Sequence, residues 1–339
     1  MTTPSRAVGI VAAVVTVTLW TGFIVIGRAS AAHVLLPFDL ALVRITGAAL
    51  VLLPWGLWLT RRGQPAHATA SLGGLSPLPL RQTVATGLFG GLLYAVLCYA
   101  GFFFAPAAHA SVLMPGSLPL WSTLLAFALL HERVTAARAL GLACIAGGGL
   151  LVGGSSLLAG FGGGQVWKGD LIYLLAGFCW AAYGVLARRF RLDPVHSTIA
   201  VTALAFVVYV PLFVLLTRLG VLPTRLGEAS ATEILLQALF QGVGVVAIAG
   251  VSFVLMVQTF GPVRSTMITA LVPGLSALGA VALLGEPLGW PLVAGLLLVT
   301  AGILFGVRGP ASGRPQATVT AAAAPAHAAR QVSAGGPAA

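Results

Sequence analysis

The segment LWTGFIVIGR at 19–28 aligns without a gap on CWAAYGVLAR at 179–188, placing Trp20 on Trp180, Phe23 on Tyr183 and Arg28 on Arg188, an offset of 160 residues. A second pair, LLHERV at 129–134 and LLGEPL at 283–288, is offset by 154 and brings Ser111 onto Ser265, Pro119 onto Pro273, Gly141 onto Gly295 and Gly148 onto Gly302. Leu/Ala-rich segments align by chance to some degree. Matched Pro, Gly and Glu positions in one register are a different matter, and they predict two copies of one structural unit.

The unit is a membrane unit. Charged residues are 7% of the 339 positions and apolar types 58%, against about 25% charged in an ordinary soluble domain. With a mean hydropathy of +1.02, most of the surface must be solvated by lipid, where only helices and closed barrels keep every backbone group paired. Runs long enough to span, about 20 residues each, predict ten helices near 7–27, 38–59, 83–103, 107–128, 136–154, 169–188, 195–217, 234–256, 263–284 and 291–307. The third and fourth are separated only by a tight turn at Ala105-Pro106.

The net charge of +11 is carried mostly by residues between these runs, a placement that membrane topology explains better than a nucleic-acid face does. With the N-terminus inside, the cytoplasmic segments hold Arg6, Arg61, Arg62, Arg81, Arg133, Arg138, Arg188, Arg189, Arg191, Arg264, Arg308, Arg314 and Arg330, 13 in all, against 4 outside: Arg28, Lys168, Arg218 and Arg225. Both termini are therefore expected in the cytoplasm of a multi-pass protein of the cell membrane. Arg6, the apolar run and Arg28-Ala29-Ser30-Ala31 mimic a cleavable signal peptide, but the run from 7 to 27 exceeds a signal core, which is about 7–15 residues. A retained helix is expected.

The Gly/Ser-rich stretch Ser155–Gln165 divides the apolar mass. The expected organisation is a first five-helix repeat at 7–154, a linker at 155–168, a second repeat at 169–308 and a disordered cytoplasmic tail at 309–339. Five is odd, so the two repeats must be inserted with opposite orientation. The fold class is thus all-α integral membrane, ten transmembrane helices as two inverted five-helix repeats. That plan is common in secondary transporters, where the site lies between the repeats and rocking exposes it to each side in turn.

These features resemble the EamA-type proteins of the drug/metabolite transporter superfamily. The resemblance rests on the Trp near the centre of each half's first helix, on ALVRITGAALVLLP at 41–54 and on the proline of each half's fourth helix. It rests also on HERVTAARALGLACIAGGGLL at 131–151 and GDLIYLLAGFCWAAYGVLARRF at 169–190, and it spans about 7–308. It implies export or exchange of amino acids, other small metabolites or drugs, and it marks Glu132 and Glu286 as the paired glutamates. One departure is that the region aligned with Arg44, near 198–204, is uncharged.

Arg44 is the one charge well inside a predicted helix. Such an arginine costs on the order of 3 kcal/mol to insert, so it needs a partner or a wet cavity. It is either an anchor for an anionic substrate group or a cap on carbonyls of a neighbouring helix. The pairs Trp20/Phe23 and Trp180/Tyr183 each share a helical face and would line a cavity at the pseudo-symmetry axis or simply pack. Pro119 and Pro273, with Pro115, interrupt matched helices, and matched interruptions mark transport sites. Polar stripes add His109, Ser117 and Trp121 on the fourth helix, Thr269 with Ser265 and Ser276 on the ninth, Tyr94 with Cys98 on the third, and Gln241 with Gln237 on the eighth. Such stripes should face protein or water rather than lipid. GxxxG pairs at Gly149/Gly153 and Gly302/Gly306 serve packing within the fold or dimerisation.

All seven acids, Asp39, Glu132, Asp170, Asp193, Glu228, Glu233 and Glu286, fall at helix ends or in loops. No Ser/His/Asp set, metal cluster or phosphate loop is legible, and Cys98, Cys144 and Cys179 lack ligand spacing. No cofactor, catalytic residue or metal is expected. The predicted function is a secondary transporter or facilitator moving small zwitterionic, neutral or anionic metabolites. The expected partners are a small-molecule substrate and the lipid bilayer, in a monomer or homodimer. The alternatives are a multidrug exporter of the same fold and an intramembrane lipid- or acyl-transfer enzyme, which would need clustered His, Asp or Glu at one face.

Overall fold

In the computed structural model, residues 5–62, 70–131 and 134–308 are described. Glu132, Arg133 and the tail at 309–339, with the expectations attached to them, lie outside the described residues. Among the described residues every named element is helical: α1 Arg6–Ala29, α2 Pro37–Arg62, α3 Leu80–Phe104, α4 Ala107–Leu113, α5 Leu118–Leu130, α6 Ala136–Gly160, α7 Val166–Arg189, α8 Pro194–Arg218, α9 Ala231–Thr269 in three successive helical stretches, α10 Leu271–Leu284 and α11 Trp290–Arg308. Among the described residues eight spans are long and apolar enough to cross a membrane, with α4 and α5 forming one of them, and α10 and α11 are shorter apolar helices.

The helix starts follow local chemistry. Ser5 accepts from the Val8 N–H, Thr135 from Arg138, Asp193 from Val195 and His196, and Ser230 from Glu233, each satisfying a donor that the helix cannot. The two broken helices end alike. Left-handed residues at the matched positions His131 (φ 57°) and Gly285 (φ 66°) stop α5 and α10, a conformation that costs a glycine little.

Two boundaries differ from expectation. Helix α6 runs through Ser155 and Ser156 to Gly160, so the connection between the halves is shorter than the Gly/Ser composition suggests. Likewise the gap expected at 257–262 is helical, and the interruption falls at Ala270.

The helix contacts repeat themselves between halves. Helix α1 packs on α9 and α10 as α7 packs on α3 and α5; α2 packs on the middle of α9 as α8 packs on α3; α2 meets α8, and α6 meets α11. Close approaches use glycine. A Cβ added to Gly148 would lie 2.6 Å from the Gly295 carbonyl oxygen, and one on Gly302 2.5 Å from that of Gly141. On α6, Gly149 faces Leu113 and Gly153 faces Asp170, so these glycines serve packing within the fold. Tyr99, Phe102 and Tyr173 are fully buried at the centre, whereas Leu50, Leu150, Leu158 and Leu297 point outward, as a lipid-facing surface requires.

Candidate functional site

The polar centre of the bundle is Arg44. It lies in the second turn of α2 and is only 7% exposed. Its guanidinium carbon sits 4.9 Å from the Phe23 ring centroid and 6.0 Å from that of Tyr94, within reach of a cation–π attraction of about 0.5–2 kcal/mol. Its Nη1 and the Tyr99 hydroxyl are both buried and neither makes a well-aligned hydrogen bond, although the two side chains lie within interacting range of each other. Phe23 packs edge-on against Tyr99, centroids 6.4 Å apart. No carboxylate is paired with Arg44 among the described residues.

The second half supplies the other wall. Trp180 lies 4.7 Å from Tyr94 and 5.2 Å from Tyr183, centroid to centroid, and the Ser197 hydroxyl bonds that of Tyr183 at 3.1 Å. Phe23, Arg44, Tyr94, Trp180 and Tyr183 thus form one chain of contacts that crosses between the halves. Trp20 stands apart from these rings and stacks on Phe253 of α9 at 5.2 Å. Trp121 meets Phe178 edge-on at 5.6 Å, with its indole N–H buried and unpartnered.

Gln241 is 1% exposed, and neither end of its amide has a partner. It sits in the π-helical stretch Ala238–Ile248 of α9, and α3 carries a corresponding π stretch at Leu88–Leu93. These stretches were not foreseen, although a signal exists: LFGG at 88–91 matches LFQG at 239–242. π turns widen a helix and recur at functional sites. In both halves they coincide with a tight crossing, Gly91 on the Val201 carbonyl oxygen and Gly242 on that of Arg44.

Of the three prolines, Pro115 lies within a break, whereas Pro119 and Pro273 lie just beyond one. The fourth span is interrupted at Met114–Ser117, and Pro119 follows in the first turn of α5; the interruption at Ala270 is followed by Pro273 in the first turn of α10. A proline in a first turn removes no intrahelical bond. Ser117 is buried at the first break and bonds the Met114 carbonyl, and Thr269 is half-buried beside the second.

His109 is drawn away from Arg44. Its Nδ1 lies 2.9 Å from Asp170 Oδ1, and the Ser156 hydroxyl donates to the other carboxylate oxygen. So the structure brings together a Ser, a His and an Asp that are not recognisable as a set in the sequence. The carboxylate sits between the other two, whereas a nucleophilic serine must bond the histidine. Glu286 accepts the Ala107 and Ala108 N–H groups at 3.0 Å each and meets Arg28 Nε at 3.4 Å. Asp39 holds the Leu36 and Arg225 N–H groups and the Thr224 hydroxyl. These acids anchor helix ends, as their positions suggested.

A crystal structure of a protein at 21% identity aligns over 89% of this chain and 96% of that chain with a TM-score of 0.56, a likeness of fold. No curated protein matches. The model of the EamA-like transporter family matches twice, over residues 7–154 and 167–308. The two matches take in nearly all of the helical chain, and this multi-pass membrane protein therefore belongs to the EamA-like transporter family, of the drug/metabolite transporter superfamily.

Proposed function

We propose that the chain is a secondary transporter or facilitator that moves small zwitterionic, anionic or neutral metabolites, amino acids among them, outward across the cytoplasmic membrane by alternating access. Ten spans in two inverted five-helix repeats, at 7–154 and 169–308, would carry the rocking, with both termini in the cytoplasm. The repeated contact pattern and the 13-to-4 arginine and lysine bias support this arrangement.

The observation that carries the reading is Arg44. A buried guanidinium with an N–H that makes no well-aligned hydrogen bond, set against Phe23 and Tyr94 of the first half with Trp180 of the second half packed on Tyr94, has donor capacity to spare. A carboxylate or other anionic group supplies the missing acceptor, and flat rings hold an apolar body beside it. Phe23, Tyr94, Trp180 and Tyr183 are assigned to the substrate pathway, with Gln241 and Trp121 as further polar contacts and Trp20, Ser117 and Thr269 at its margins. Multidrug export by proton exchange would call for a carboxylate beside this centre, and the described acids lie at helix ends. Purified protein in liposomes, screened with amino acids and nucleobase-like metabolites, should give saturable flux of at least one zwitterion or anion. Flux confined to organic amines overturns the proposal.

A further inference from the structure

Tyr99 lies on α3 beside Arg44. Its side chain is fully buried, with ring centroids 6.4 Å from Phe23 and 6.3 Å from Phe102. The phenols of Tyr173, Tyr183 and Tyr209 each have an aligned partner: the Ala105 carbonyl at 3.0 Å, the Ser197 hydroxyl at 3.1 Å and the Phe38 carbonyl at 2.9 Å. The Tyr99 hydroxyl has no such partner, although the Arg44 guanidinium is within interacting range.

A guanidinium only donates, whereas a phenol donates one proton and accepts through two lone pairs. Where Arg44 faces Tyr99, the phenol oxygen can act only as acceptor, so its proton is directed elsewhere. The rings packed against it, Phe23 and Phe102, are apolar, and Arg44 Nη1 is itself without an aligned acceptor. Two buried donors thus lie side by side with nothing to receive them, an arrangement that costs stability until an acceptor binds. We propose that Arg44 and Tyr99 form a two-donor fork for a substrate carboxylate, one oxygen taking the Arg44 N–H and the other the Tyr99 O–H, with the substrate's flat apolar body beside Phe23, Tyr94 and Trp180. This rests on the transport reading and narrows its substrates to carboxylates.

A carboxylate suits the fork because it is planar, has two oxygens and only accepts. The corresponding amide has one oxygen and would turn N–H groups toward a donor. An amine would bring positive charge to the guanidinium. A phosphate monoester carries close to two negative charges against the single charge of Arg44. The neutral Tyr99 adds a directed bond without adding charge. It therefore sharpens the choice between a carboxylate and its amide, while Arg44 also sets the sign of the charge that is accepted.

The test is equilibrium binding of phenylacetate, phenylacetamide and phenethylamine to the full-length protein in lipid nanodiscs. These probes share one flat ring and differ in the group offered to the fork. The wild type should bind phenylacetate on the order of tenfold or more tighter than phenylacetamide. Tyr99→Phe keeps the ring and removes the hydroxyl. It should weaken phenylacetate on the order of tenfold and leave the other two probes unchanged. An unchanged ratio of acid to amide in Tyr99→Phe overturns the fork, and so does equal weakening of all three, which would make the hydroxyl structural. If Tyr99→Phe does not fold, Tyr99→Met, which also lacks the hydroxyl and fills irregular space, is read by the same ratio. Flux recorded separately in liposomes keeps the two ideas apart. Zwitterion or anion flux by a wild type that shows no acid preference, or no binding of phenylacetate, removes the fork alone. An acid preference that Tyr99→Phe loses, without flux of any metabolite, removes the transport reading alone.

Discussion

Gly242 presses on the backbone of Arg44: a Cβ built on it would lie 2.8 Å from the Arg44 carbonyl oxygen and 2.6 Å from the Ala48 nitrogen. The atoms it would meet are backbone, which cannot swing aside as a long side chain can. The position of Arg44 is therefore set partly by a glycine of the other half.

Gly242→Ala is expected to destabilise the protein by about 1–3 kcal/mol, the usual cost of overpacking, seen as a lower midpoint of thermal unfolding in detergent. Gly184→Ala is the control, because nothing lies within 4 Å of a Cβ there, and its midpoint should stay level or rise. A Gly242→Ala midpoint equal to wild type would mean that α2 and α9 slide apart at no cost.

Arg44→Gln should change selectivity more than folding. With an amino acid, its amide and its amine offered to proteoliposomes, the wild type should prefer the amino acid. The variant should lose that preference by tenfold or more, about 1.4 kcal/mol, within the range for one charged hydrogen bond. Preference for the amine in the wild type would sink the anionic-anchor reading, and equal loss of all three in a misfolded variant would assign Arg44 to structure.

Glu286→Gln should cost about 1–3 kcal/mol in stability, because a partly buried charged acceptor of two helix N–H groups is weakened. The Arg28 pair adds little to this. At 3.4 Å and with the Arg28 side chain 33% exposed, its coupling in a double-mutant cycle with Arg28→Met should be below about 1 kcal/mol. A coupling of several kcal/mol would transfer the anchoring role from the α4 backbone to the ion pair.

Reporter fusions after Ala68 and after Arg314 should read cytoplasmic, and a fusion near Gly162 should read outside, as the arginine and lysine bias requires. An outside signal at Arg314 would overturn the even number of spans.

Membrane class and the repeat were legible in the sequence because both depend on local, additive properties. Each apolar run declares itself by its own length, and Trp20/Trp180 or Pro119/Pro273 match without knowledge of what they touch. The place of Glu286 at a helix end was readable too, though its acceptor role on Ala107 and Ala108, 179 and 178 residues away, was not. What surrounds Arg44 was decided only by tertiary structure. Lipid and protein interior are equally apolar, so hydropathy does not separate the Tyr94 face that meets Trp180 from the Leu50 face that meets the bilayer. The same limit hid the partnership of His109 with Asp170, 61 residues on, and the helical continuation past Ser155. Lying at a helix end in sequence does not make a carboxylate exposed, and only the docking of α7 against α4 and α6 removes Asp170 from water and gives it a histidine.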